Sequence, residues 1–144
     1  MDKKLLFAAL AAGVFSFLLG WVLWGMLDLM GYYQDNMNAA WNALWKKEEN
    51  MNMIGMIISN LAYGALVAWV VWRGGGATLM SGLMAGAILG GLMSVSMDMF
   101  YYSMVNMYSN KMIVCVDVLV NAATTGLTGA VAGQVLGMGA KSNA

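Results

Sequence analysis

The chain has 144 residues, of which 61% are hydrophobic and 10% charged, and its seven basic and seven acidic side chains balance. A water-soluble domain carries about 25% charged residues, so this chain cannot cover a surface that faces water, and its scattered basic residues leave no footprint for nucleic acid. It has no histidine and a single cysteine, which removes the commonest metal ligand and general base and excludes an intrachain disulfide.

The N-terminal Met1-Asp2-Lys3-Lys4 and the apolar run behind it look like a secretion signal. The apolar stretch continues through Trp21-Val22-Leu23-Trp24, longer than a signal core, and is read as a retained first span over roughly 5–27. A crossing needs about 20 apolar residues, and three further runs, roughly 51–72, 79–102 and 112–138, meet that need. The expectation is one all-α domain over 1–144, a bundle of four transmembrane helices. The chain lacks proline, so no proline kink or broken helix is expected.

The longest connector lies between the first two spans. Met37, Ala40, Trp41, Leu44 and Trp45 recur there at helical spacing, with Asn38, Asn42 and Glu49 off the stripe. This predicts an amphipathic helix capped by Asp35 or Asn36 and anchored at the interface by Trp41 and Trp45. The next connector, Arg73-Gly74-Gly75-Gly76-Ala77-Thr78, lacks the Gly-Lys-Ser/Thr ending and the preceding strand of a phosphate loop and reads as a plain turn. The positive-inside rule puts Lys3, Lys4, Arg73 and Lys141 on the cytoplasmic side with both termini, and Lys46, Lys47 and Lys111 on the other.

Residues 18–37 align without a gap with 88–107, Asp28 meeting Asp98, Tyr32 meeting Tyr102 and Asn36-Met37 meeting Asn106-Met107. Such a match suggests a duplicated two-helix hairpin, two copies related by a pseudo-two-fold along the membrane normal. It would place Asp28 at the membrane level of Asp98.

The third span carries Gly82, Gly86 and Gly90 at four-residue steps, and the fourth carries Gly129, Gly133 and Gly137. Rows of this kind let helix backbones approach closely in lipid. A four-residue step overshoots the turn of 3.6 residues, so on a straight helix Ala87, Gly91, Ser94 and Asp98 share a face while Gly82 and Gly86 point elsewhere. On the fourth span Asp117, Asn121, Thr124 and Thr128 form a polar face. An antiparallel hairpin then predicts a polar intramembrane cluster of Asp98, Asp117, Asn121, Thr124 and a tyrosine, Tyr101 or Tyr102. A charge at the bilayer centre costs at least about 2.5–3.5 kcal/mol, so intramembrane carboxyls mark function by default. The plainer alternative is a hydrogen-bonded network that holds the helices in register.

Sixteen methionines raise the question of soft-metal binding, since thioethers hold Cu(I). Without histidines, paired cysteines or a methionine-rich tail, they read as flexible packing, and no metal or cofactor is expected. Nucleophile–base pairs built on histidine are impossible here, and Cys115 lies in an apolar run that suits it poorly as a nucleophile. The expectation is a chain without enzymatic activity.

Leu19-Gly20-Trp21 in the first span, Asn60-Leu61-Ala62-Tyr63-Gly64-Ala65 in the second, the Gly82/Gly86/Gly90 row followed by Asp98, and Val116-Asp117-Val118 with its glycine-rich sequel resemble small bacterial four-helix membrane proteins of the domain-of-unknown-function kind. The resemblance covers nearly the whole chain and implies a fold and a bacterial cytoplasmic membrane, without an activity. Two function classes follow from the residues. The preferred one is a non-catalytic accessory or scaffold subunit that associates with itself or with a larger membrane complex through its small-residue faces. The other is a small permeation protein for protons, cations or a solute, using Asp98, Asp117 and Asn121.

Overall fold

A computed structural model describes residues 3–138; Lys141, invoked in the charge reading, lies outside them. Six α-helices follow one another: α1 Lys3–Gly20, α2 Leu29–Asn36, α3 Ala39–Asn42, α4 Met53–Arg73, α5 Leu79–Met104 and α6 Met112–Gly137. Four helices are long and apolar enough to cross a membrane, the first being α1 with its continuation to Met26. The described chain is all-helical, as a multi-pass membrane protein requires, because only intra-helical bonding satisfies the backbone of an open chain in hydrocarbon.

α6 is the central helix. It packs along α5 and also touches α1 and α4, whereas α4 and α5 touch each other only lightly. Its residues from Thr125 to Leu136 are accordingly mostly buried. Two close backbone contacts set this arrangement. A Cβ added to Gly64 of α4 would fall on the backbone of Gly13 in α1. Along the second contact, a Cβ at Gly82 or Gly86 would meet the carbonyls of Gly129 or Thr125, one at Gly133 that of Thr78, and one at Gly137 that of Ala77.

Here the straight-helix expectation fails. Gly82, Gly86, Gly90, Ser94 and Asp98 are all buried and form one row, so Gly82 and Gly86 do not point away from Asp98. A contact row with a period longer than 3.6 residues stays on its partner only when the pair wraps round itself in the right-handed sense. The same wrapping consumes the glycine rows inside the chain, so they are not faces left open for a partner.

The helix ends are set by local chemistry. Thr78 and Ser81 form a reciprocal capping box at the start of α5, Asn52 caps α4, and Gly75 takes the left-handed conformation (φ 72°) that closes the α4–α5 turn. The connector after α1 departs from expectation. There is no single helix from Met37 onward with a cap at Asp35 or Asn36. α2 ends at Asn36, and α3 is a single turn capped by Asn38, whose Oδ1 accepts from Ala40 N at 2.9 Å. The break arises because the backbone at Met37 and Asn38 is extended against the α5–α6 loop: Asn38 N donates to Met107 O at 2.8 Å and Ser109 N to Asn36 O at 3.1 Å. The two segments run antiparallel, with Met37 bridged to Tyr108.

The start of the connector and the first span show two further local features. Asp28 is exposed and caps α2, with φ 51° and Oδ1 accepting from Gly31 N at 3.3 Å. The first span is not regular throughout, because Trp21–Met26 is a π-helical turn, an irregularity that needs no proline.

The two adjacent glycines of α5 provide a test. A Cβ at Gly90 would strike Thr125 and the Asn121 carbonyl, whereas one at Gly91 finds its nearest neighbour, the Ala122 Cβ, at an ordinary 3.6 Å. Gly90→Ala is expected to destabilise the folded protein by about 1–3 kcal/mol and Gly91→Ala to leave it near wild type. Thermal unfolding of both variants in detergent micelles measures the difference.

Candidate functional site

The α5–α6 wrapping sets Ser94 and Asp98 against Asp117 and Asn121. Asp117 stands about 8 Å along α6 from its first residue, at 1.5 Å per residue, so the site lies inside a helix long and apolar enough to cross a membrane, toward the end where the long connector and the α5–α6 loop meet. Ser94 is the hub, its Oγ 2.9 Å from Asp98 Oδ2 and 2.7 Å from Asp117 Oδ2. Asn121 Nδ2 donates to Asp117 Oδ2 at 2.8 Å and to the Asp117 carbonyl at 3.0 Å.

Two phenols close the group from the loop side. Tyr33 of α2 donates to Asp117 Oδ1 at 2.5 Å, and Tyr108 of the α5–α6 loop donates to Asp98 Oδ1 at 2.9 Å. Tyr33 is buried with Ile113 and Val114, and Trp24, Leu29 and Met37 pack around them. Burial raises the Tyr33 phenol far above its ordinary range, helped by its bond to Asp117. Burial, and then the bond to Asp98, does the same for Tyr108.

The hydrogens of this network can be counted. The Ser94 hydroxyl has one hydrogen and meets a carboxyl oxygen on each side, so both contacts are hydrogen bonds only when one carboxyl keeps its proton.

Beside Asp117 lies a cavity of about 230 Å³. Ser94, Asp117, Asn121 and Thr125 give it a polar lining, and Tyr63, Gly90, Met93 and Met97 the rest. Tyr63 of α4 is hydrogen-bonded to Thr125 at its deep end. Beyond that pair, the opposite half of the bundle holds the apolar cluster Ala8, Ala12, Val67, Ala68, Val71, Ala132 and Leu136, an apolar seal, with the buried Thr128 hydroxyl between it and Thr125 bonded back to the Thr124 carbonyl.

Of the residues singled out in the sequence, Asp98, Asp117 and Asn121 come together. Thr124 does not join them, since its hydroxyl donates back to the Val120 carbonyl at 2.8 Å. Tyr101 packs edge-on against Trp41, ring centroids 6.1 Å apart. Tyr102 is exposed under the Lys111 ammonium. It stands one step further along the row than Asp98, near the end of α5. Ser94, Tyr33 and Tyr108 take the places expected of Thr124 and a span tyrosine. Ser94 was visible on the Asp98 face, whereas the two phenols reach the site only through the loop pairing. Trp41 and Trp45 line a separate groove with Met30, Leu44, Met51 and Met56. Among the described residues no group of three metal-ligating acidic, cysteine or histidine side chains occurs.

No family model matches the chain, and neither a curated protein nor a solved structure matches it.

The raised phenols set a pH dependence. In the unfolded chain both ionise near about pH 10, while in the folded protein they stay neutral, so their contribution is complete below that value and is lost as pH rises above it. Thermal unfolding in detergent is expected to show a midpoint that falls beyond about pH 10, and the double variant Tyr33→Phe, Tyr108→Phe is expected to flatten that fall.

Proposed function

We propose that this chain is a small permeation protein for protons or cations, with the Asp98–Asp117 pair as its intramembrane site and no catalytic activity. One observation carries the reading: the Asp117 carboxylate lines a cavity that no side chain fills. A carboxylate held only as structural glue is packed on every side, because an unfilled polar space in hydrocarbon is costly. The π-helical turn at Trp21–Met26 lies directly before the segment that carries Tyr33, and a turn of this kind gives the connector a place to move.

The apolar seal of Val67, Val71, Ala132 and Leu136 must open for passage. That seal favours a second reading, an accessory or scaffold subunit in which the cluster holds the helices in register. As the glycine rows are used within the chain, association with itself or a larger complex would use lipid-facing side chains. Under either reading the chain sits in a bacterial cytoplasmic membrane, in keeping with its resemblance to small bacterial four-helix proteins. Lys3, Lys4 and Arg73 then mark the cytoplasmic end, with both termini.

Proton and cation flux into proteoliposomes separates the two. Permeation predicts flux above empty liposomes that Asp117→Asn lowers by roughly tenfold or more, as expected when an unpaired charge leaves a low-dielectric site, with thermal unfolding showing the variant folded. Flux no greater than in empty liposomes, across several cations and a pH gradient, assigns the cluster to the structural reading.

A further inference from the structure

The cavity beside Asp117 is covered toward the loops and toward the apolar core, and its rim lies on α5. Toward the loops, Tyr33 covers the Asp117 carboxylate and is itself 5% exposed. Toward the opposite membrane face stands the apolar seal. Its remaining side is the gap between α4 and α5, which touch only lightly. The rim there is formed by Met93 and Met97, 42% and 53% exposed on the outside of a membrane-spanning helix. What reaches Asp117 through this rim comes out of the bilayer.

The lining specifies the chemistry of the visitor. One carboxyl, that of Asp117, lines the cavity. Every lysine and arginine of the described chain lies at or beyond a helix end, so no basic side chain within the spans stands beside it. The walls beside it are the thioethers of Met93 and Met97, which are polarizable and adaptable, and the ring of Tyr63, which attracts cations to its face. An inorganic ion arriving from lipid would have to shed its hydration shell, whereas an organic cation carries its own apolar coat.

Resting on the permeation reading of this site, we infer that the cavity is a laterally accessed binding site for a singly charged, lipid-soluble organic cation of the alkyl- or arylammonium class, held by Asp117.

The probe is benzyltrimethylammonium, tested by equilibrium dialysis on the whole protein in lipid nanodiscs. Its uncharged isostere neopentylbenzene, which has carbon in place of nitrogen, serves as the control for shape. The expected result is saturable binding of the cation, with the isostere and Asp117→Asn each weaker by roughly tenfold or more. Met93→Trp and Met97→Trp, which fill the rim without touching the carboxyl network, are expected to lower binding as well, and they keep the test decisive should Asp117→Asn fail to fold. No saturable binding, equal binding of the isostere, or binding unchanged by the rim variants overturns the inference. Proton flux that depends on Asp117 without cation binding overturns the inference and leaves the permeation reading standing. Cation binding without any flux does the reverse.

Discussion

The structure depends on one contact, the approach of α5 and α6 to a distance at which only glycine fits. Lipid tails are as apolar as leucine, so burying apolar side chains gives two membrane helices little reason to associate. The association must come from dispersion between surfaces that touch over a large area. Glycine at Gly82 and Gly86 opposite Gly129 and Gly133 removes the Cβ atoms that would hold the backbones apart, and Gly90 leaves the room that the Thr125 side chain takes. The row continues into Ser94 and Asp98. The geometry that packs the glycines at one end therefore presses a serine and an aspartate onto Asp117 and Asn121 at the other.

The polar site is thus the outer end of a packing interface. Its hydrogen bonds are densest where the helix pair runs out of glycine, and the connectors complete it. Tyr33 and Tyr108 come from outside the long helices and enter because the backbone at Met37 and Asn38 pairs with the α5–α6 loop. Without that pairing the two carboxyls would lie open to the loop side. With it, their roof is made of two neutral phenols and the cavity opens sideways past Met93 and Met97.

The uneven packing of α4 has a consequence for function. Near Gly64 it is locked against α1 through the Gly13 backbone, and Tyr63 ties it to Thr125 of α6. Beyond Tyr63, toward the loops, it leaves α5 uncovered. The same helix therefore forms part of the apolar seal, through Val67 and Val71, and one bank of the cavity. A tight half and a loose half divided at a half-buried tyrosine make an asymmetric bundle.

How much of this was legible beforehand follows from the range of the forces involved. The four long helices were legible because each is fixed by its own composition: about 20 apolar residues in lipid have no backbone solution but a helix or a closed barrel. The meeting of Asp98, Asp117 and Asn121 was legible too, because a short loop forces α5 and α6 antiparallel and sets their depth. Which side chains complete the site was not. The glycine rows stay in register only because the helices wrap, and wrapping belongs to the pair, so a straight-helix reading turned Gly82 and Gly86 away from Asp98. Tyr101 and Tyr102, near in sequence, were displaced by Tyr33 and Tyr108, since a loop–loop backbone pairing decides where the connectors lie and leaves no periodic trace. The sequence by itself determined the membrane as solvent, the helices and the depth of the carboxyls, all consequences of hydropathy and chain connectivity. The tertiary structure alone decided the roof, the seal and the lateral mouth, because each is a relation between helices that no single helix encodes.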